Sequence, residues 1–254
     1  MPEPEVRLGK YLYCIIRSSE SKVYANRGVG ERGDPVHTIQ YQDLAAIVSD
    51  SPIVEYDSSR RNMMAHTKVL EEVMGDGTIL PVRFGMVAPS ADAVQTMLQT
   101  RYKELVGMLG EIDGRVELGL KAFWFEDVTF REIVEEHAPI RQLRDSLMGR
   151  SPEETYYDRI QLGEMVEAAM SKKRDEDAQT ILNYLEPLTE LTCRNKTITD
   201  RMVLNAAFLV KRANENAFDL AVQQLDTVMG KRMVFKYVGS APPYNFVNLV
   251  IHWK

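Results

Sequence analysis

The sequence predicts an α+β protein of two domains. Residues 1–112 form an N-terminal mixed α/β domain, and residues 113–254 form a ferredoxin-like (βαββαβ) domain with an extended C-terminal tail. Three observations predict this. The first half alternates short β-rich runs with helical patterns. The second half reads strand, helix, strand, strand, helix, strand, the split βαβ order. Between them Gly110-Glu111-Ile112-Asp113-Gly114 punctuates the chain with glycines.

The elements follow in order. Tyr11 to Ser18 is rich in aromatic and β-branched residues and predicts a strand. Residues 19–35 carry Ser, Asn, Gly and Pro and read as a loop or hairpin connection. Val36 to Gln40 and Leu44 to Ser49 are strand candidates. Asp57 or Ser58 caps a helix that runs to about Met74, and Gly75 ends it. Met63, His66, Leu70 and Val73 fall on one face of that helix. Thr78 to Phe84 predicts a further strand. Ser90 caps a helix ending near Gly107 or Gly110, with Val94, Met97, Leu98, Leu105 and Met108 inward.

In the second half, residues 115–125 alternate apolar and polar positions and predict a strand. Helical segments follow, interrupted at Pro139. Ser151-Pro152-Glu153-Glu154 has the N-cap hydroxyl, the proline and the glutamate of a helix start. From there Tyr156, Ile160, Val166, Met170, Ala178, Ile181 and Leu185 mark an apolar stripe up to Pro187, with a break near Asp175 equally allowed. Leu188 to Asn195 and Met202 to Lys211 predict two strands. A helix from Asn214 or Asn216 buries Phe218, Val222, Leu225 and Val228 and stops at Gly230. Met233 to Gly239 is the last strand, before Pro242-Pro243.

Composition excludes several classes. Hydrophobic residues are 44% and charged residues 27% of the 254, ordinary for a globular chain. Met1-Pro2-Glu3-Pro4-Glu5 is not a secretory signal, since no basic region leads into an apolar stretch. Cys14 and Cys193 make no disulfide framework, which fits a reducing cytoplasm. The net charge is −6, against the basic excess of nucleic-acid binders. Lys172-Lys173-Arg174 runs straight into Asp175-Glu176-Asp177 and reads as a solvated helix face with internal ion pairs.

No catalytic or metal constellation stands out. Gly28-Val29-Gly30-Glu31-Arg32-Gly33 matches G-x-G-x-x-G, but Asp34-Pro35 and a strand-like run follow where a dinucleotide site needs a helix. His37, His66, His137 and His252 have no partners at zinc-ligand spacing. His66 sits on an apolar helical stripe and reads as a hydrogen-bonded core residue. Catalytic residues, cofactors and metals are therefore all expected to be none.

Two segments are odd for plain core. Leu80-Pro81-Val82-Arg83-Phe84-Gly85 puts a proline and an arginine in an apolar strand, so Arg83 must find an acceptor or snorkel to the surface. Pro242-Pro243-Tyr244-Asn245-Phe246-Val247 closes the last strand with a proline corner and two aromatics. Tyr244, Phe246 and Trp253 are candidate partner anchors, because aromatics are enriched at interface hot spots. Their competing role is to cover the protein's own sheet.

The same segments carry a resemblance. The chain shows Tyr11 and Tyr13, then Asp43-Leu44-Ala45-Ala46-Ile47-Val48-Ser49, then His66 with Val69-Leu70-Glu71. It continues with Leu80-Pro81-Val82-Arg83-Phe84-Gly85, Ala207-Phe208-Leu209-Val210 and Pro242-Pro243-Tyr244-Asn245-Phe246-Val247. This order, over about residues 10 to 250, resembles the gas vesicle accessory proteins of the F and L type. Pro81, Arg83, Phe84, Gly85, Pro242 and Pro243 are then structural motif positions. Members commonly read Gly-Pro-Trp-Pro-Pro-Tyr-Ser-Phe, where this chain has Ser240 and Ala241 in place of Pro and Trp. The resemblance implies a non-enzymatic structural or assembly component of gas vesicles, cytoplasmic and vesicle-associated. It implies the main hydrophobic shell protein as partner, then other vesicle accessory proteins, with no nucleic acid and no lipid membrane. The alternative, by fold analogy, is a cytosolic small-ligand sensor.

Overall fold

A computed structural model describes residues 7–253; the reading of Met1-Pro2-Glu3-Pro4-Glu5 falls outside them. Among the described residues the fold is α+β, with two antiparallel sheets and seven α-helices. Two compact units form. One takes the chain up to Glu117 together with the segment from Ser240 onward, and the other is Leu118–Gly239. The expected division at 112/113 left the tail with the second half. Instead the tail groups with the first unit, because its hydrogen bonds go there.

The first unit's sheet comprises β1 (Leu8–Arg17), β2 (Val23–Arg27), β3 (Pro35–Tyr41), β4 (Leu44–Pro52), β5 (Ile79–Pro81) and β6 (Val87–Ala88). The order is β2-β3-β4-β1-β5, and β6 also pairs with β1. Tyr11 to Ile16 of the central β1 are buried. Its register against β4 shifts between Leu12 and Cys14. Strict alternation would send Tyr13 and Cys14 to opposite faces. The bulge instead lets Tyr11, Tyr13, Cys14 and Ile16 share one core cluster. To this cluster α1 (Arg60–Met74) adds Val69, Leu70 and Val73. Ser59 caps that helix through the Asn62 amide, and Gly75 ends it. His66, Leu70 and Val73 are buried as the spacing predicts, whereas Met63 is exposed.

Three details depart from expectation. β2 lies inside the stretch read as a loop or hairpin connection; it pairs antiparallel with β3 as a short edge strand with only Tyr24 buried, so its own apolar signal is weak. The strand expected over Thr78 to Phe84 stops at Pro81, and the chain turns through Gly85, whose φ is +86°. Arg83 therefore sits exposed just before that turn rather than on an apolar strand. The single helix expected from Ser90 is two, α2 (Ala91–Thr100) and α3 (Tyr102–Ile112), which meet at Arg101. Met108 is half-buried, and Leu109 takes the buried position one residue on.

The second sheet comprises β7 (Arg115–Trp124), β8 (Leu191–Arg194), β9 (Met202–Lys211) and β10 (Met233–Ala241), in the order β10-β7-β9-β8. Its helices are α4 (Glu126–Glu136), α5 (Ala138–Ser146), α6 (Tyr156–Leu185) and α7 (Glu215–Met229). α6 is 30 residues without a break, roughly 45 Å at 1.5 Å per residue. It begins later than predicted. Ser151 to Thr155 form a capped turn, with the Glu154 amide donating to Ser151 Oγ at 3.3 Å and the Thr155 hydroxyl to the Ser151 carbonyl at 2.7 Å. Burial concentrates in the C-terminal half of α6, at Asp177, Ala178, Ile181, Leu182 and Leu185, with Ala169 the one buried residue of the first half. Tyr156 and Ile160 are exposed, against expectation. So is Val228 of α7, whose buried face is Phe218, Ala221, Val222, Leu225 and Met229.

The charged run on α6 is only partly a solvated face. Lys172 pairs with Glu176 at 3.7 Å, one turn on. Asp177, however, is 7% exposed. It accepts from Trp124 Nε1 at 2.8 Å and from both terminal nitrogens of Arg232, at 3.2 and 3.0 Å. Arg232 also donates to Glu132 at 2.8 Å, and Lys173 closes the network on Glu132 at 3.2 Å and Glu136 at 3.0 Å. Position 177 lies on the stripe of Ala178, Ile181 and Leu185, so its carboxylate enters the core and needs these donors.

Candidate functional site

The two odd segments meet inside the first unit, around His66. The β5 turn and the tail approach α1 and β1 from separate stretches of sequence, and one chain of hydrogen bonds joins them. The Gly85 amide donates to Tyr11 Oη at 2.9 Å. Tyr11 Oη lies 3.1 Å from His66 Nδ1. His66 Nε2 lies 2.8 Å from Tyr244 Oη, which donates to the Val82 carbonyl at 3.2 Å. One set of proton positions satisfies every link: the Tyr11 hydroxyl donates to Nδ1, and Nε2–H donates to Tyr244.

Aromatic rings enclose the chain. His66 stacks on Tyr13 with centroids 5.5 Å apart and meets Tyr11 and Phe84 edge-on at 5.7 Å each. Tyr56 stands edge-on to Tyr11 at 5.5 Å. Tyr13 Oη is held by Ser49 Oγ and the Val29 amide, both at 3.0 Å. Gly28 of the G-x-G-x-x-G run lies against this pair. A Cβ there would come 2.5 Å from Ser49 Oγ, so close approach to the tyrosine network accounts for that glycine. The run then closes a loop into β3, the Gly28 amide donating to the Asp34 carbonyl at 2.9 Å; no helix starts in it.

The electrostatics are those of a neutral network. His66 is 1% exposed. Burial holds its imidazole down at about 4, against an ordinary 6.5. Burial pushes the Tyr13 phenol up to about 12 and raises Tyr11 and Tyr244 as well. Near neutral pH the histidine is unprotonated and the tyrosines are intact, so the cluster joins strands and tail as a satisfied polar core. Burial likewise raises the Cys14 thiol.

The tail is anchored along its length within this unit. Buried Glu117 accepts from the Asn245 amide at 2.9 Å and from Asn245 Nδ2 at 2.6 Å. Burial lifts the Glu117 carboxyl, and the Asn245 donors oppose that rise. Arg101 Nη1 donates to the Val250 carbonyl at 2.6 Å, and Trp253 Nε1 lies 3.2 Å from Met86 Sδ. Pro243, Leu249 and Ile251 are buried. Of the candidate anchors, Tyr244 is 40% exposed although its hydroxyl is engaged, and Phe246 and Trp253 are half-buried. Pro81 is buried, Phe84, Gly85 and Pro242 are half-buried, and Arg83 is exposed. Sequence reasoning singled out His66, Tyr244 and the two motifs. It missed Glu117, which reads in sequence as one polar position of an alternating strand, and Tyr56.

Among the described residues no three His, Cys, Asp or Glu side chains are placed to hold a metal ion. No helix there is long and apolar enough to cross a membrane.

Comparison with known proteins gives a consistent picture. The sequence model of the family "Gas vesicle synthesis protein GvpL/GvpF" matches residues 9–248. Gas vesicle protein F of Streptomyces sp. (strain CB03234) is 31% identical over 243 residues, 95% of this chain and 100% of that protein. Gas vesicle protein F of Nostoc sp. (strain PCC 7120 / SAG 25.82 / UTEX 2576) is 29% identical over 246 residues, 95% and 98% of the two chains. The crystal structure of the gas vesicle protein GvpF from Anabaena sp. PCC7120 superposes with a TM-score of 0.81 at 27% identity, covering 96% of this chain and 99% of that one. The GvpF structure from Microcystis aeruginosa gives 0.78 at 27%, covering 95% and 99%. The chain belongs to the GvpL/GvpF family of gas vesicle synthesis proteins.

Proposed function

We propose that this protein is a non-enzymatic structural or assembly component of gas vesicles, which binds the main hydrophobic shell protein and supports vesicle formation. It works in the cytoplasm, associated with the vesicle, with other vesicle accessory proteins as secondary partners and without nucleic acid or a lipid membrane. The observation that carries the reading is the extent of the likeness, which runs through both units and includes the tail. The neutral, fully bonded Tyr–His cluster supports a role without chemistry, since acid–base or nucleophilic work needs a group poised to exchange a proton. The strand order β10-β7-β9-β8, with α4–α6 and α7 as the two helical connections, supports reading the second half as ferredoxin-like.

The proposed contact is the outer side of the tail. Behind Pro242-Pro243, Tyr244 is exposed and Phe246 and Trp253 are half-buried, while the Tyr244 hydroxyl and Trp253 Nε1 engage the first unit. Apolar contact weakens little with salt, because screening acts on exposed charges. The test is a pull-down of the main shell protein at low and high salt, with Phe246→Ala and Trp253→Ala as variants, circular dichroism as the folding control, and detection in washed vesicles. Binding that survives salt and drops in folded variants is expected. Folded variants that bind as before would move the contact elsewhere. Absence from washed vesicles together with indifference to shell protein would refute the role.

A further inference from the structure

The first unit carries a second feature that the tail contact does not use. An open groove of about 560 Å³ runs between the end of β2 and the outward face of α1. Arg27, Arg60, Arg61 and Lys68 line it, with Met64 between them. Positions 60, 61, 64, 65 and 68 form one stripe, roughly 160° around the helix from the buried stripe of His66, Val69, Leu70 and Val73. The cationic face is therefore the one α1 leaves to solvent.

These charges are poorly compensated. Arg61 is paired with Glu31. Arg27, Arg60 and Lys68 are exposed and make no ion pair among the described residues. The nearby Glu72 carboxylate is already occupied by the Ala25 amide, the Asn26 amide and Asn26 Nδ2, at 2.7–2.9 Å. Arg60 and Arg61 stand in the first turn of α1, which holds no acid, so their charge opposes the helix dipole. All this occurs in a chain of net charge −6.

We propose that this groove is a docking site for an acidic, amphipathic segment of a partner protein. Carboxylates would pair with Arg60, Lys68 and Arg27, and an intervening apolar side chain would rest on Met64. Charge complementarity selects an anion. The methionine floor and the lack of an aromatic ring among the groove residues select a peptide over a nucleic-acid strand, whose bases need a stacking platform. The net negative charge of the whole chain further disfavours a long polyanion. The site is distinct from the tail contact, so a failure here leaves the shell-protein reading standing.

The test is fluorescence anisotropy with the full chain and three labelled probes: a peptide of about 12 residues alternating Glu and Leu, the same peptide with Gln for Glu, and an oligothymidylate of similar length. The Glu–Leu peptide should bind, the Gln peptide should bind at least about tenfold more weakly, and salt should weaken the first far more than the second. The double charge reversal Arg60→Glu/Lys68→Glu should weaken the Glu–Leu peptide at least about tenfold, while Lys231→Glu, which belongs to the other unit, leaves it within about twofold. Circular dichroism confirms folding, which these exposed positions should not disturb. Equal binding of all variants, tighter binding of the oligonucleotide, or no binding of the Glu–Leu peptide at low salt would each overturn the proposal.

Discussion

Protonating His66 should destabilise the fold in a pH window set by its burial. The imidazole titrates near 6.5 when exposed and is held down at about 4 in the folded chain. Between those values the unfolded chain binds a proton that the folded chain refuses, so stability falls as the pH falls. The contribution is complete above about 6.5, declines below it, and is gone once the folded histidine also protonates near 4. Going from about pH 8 to pH 5, this one group costs roughly 2 kcal/mol, from a difference of some 2.5 pKa units at about 1.4 kcal/mol each, not yet fully expressed at pH 5. Burial is the main reason the folded chain refuses the proton, and the Tyr11 hydroxyl on Nδ1 adds to it. Nδ1 can take one only by forcing Tyr11 to stop donating to it. Urea unfolding of wild type and His66→Gln at several pH values measures the effect. The variant should be less stable near pH 8 by roughly 1–3 kcal/mol, having lost a buried hydrogen-bonded pair. It should also lose most of the acid slope, so the two proteins converge toward pH 5. Parallel pH profiles would refute the reasoning, whatever the offset between them.

Two further outcomes follow from the polar anchors. Glu117→Leu should release the tail, since Glu117 accepts both Asn245 donors; limited proteolysis should then cut after residue 244 much faster, with a stability loss of roughly 1–3 kcal/mol, and unchanged digestion would count against the anchor. Asp177→Ala should destabilise the second unit by roughly 2–3 kcal/mol, because it orphans Trp124 Nε1 and frees one side of Arg232; a shift of Trp124 fluorescence should accompany the loss, and a variant as stable as wild type would show the carboxylate to be dispensable.

The elements legible in the sequence were those that carry two independent local signals. α1 has a hydroxyl cap, a stopping glycine and a buried stripe; its stop at Met74 before Gly75 is as read, while the cap is Ser59 rather than Asp57 or Ser58. β4, β7 and β9 are long and strongly apolar. Elsewhere the local signals misled. Ser151-Pro152-Glu153-Glu154 has the chemistry of a helix start, but its hydroxyl and carbonyl close a turn, and α6 begins at Tyr156. Apolar composition over Thr78 to Phe84 could not reveal that the ladder ends at Pro81, where the chain leaves β1, turns through Gly85 and returns to the same strand as β6.

The site was legible as separate residues and not as a site. His66 announced itself as a polar residue on an apolar stripe, which nearly always means a satisfied hydrogen bond. Its partners lie 55 positions before it and 178 after it, at distances that local periodicity does not reach. Asp177 makes the opposite case. Its neighbours Asp175 and Glu176 disguised it as surface charge, yet its spacing from Ile181 and Leu185 put it on the buried stripe all along. A carboxylate at such a position must recruit cations and donors, and Arg232 and Trp124 are what the fold supplies. In both cases the residue type and the helical phase disagree, and the disagreement marks where a distant segment is held. For His66 that segment is the tail, whose Tyr244 hydroxyl bridges the histidine and the Val82 carbonyl beside the β5 turn.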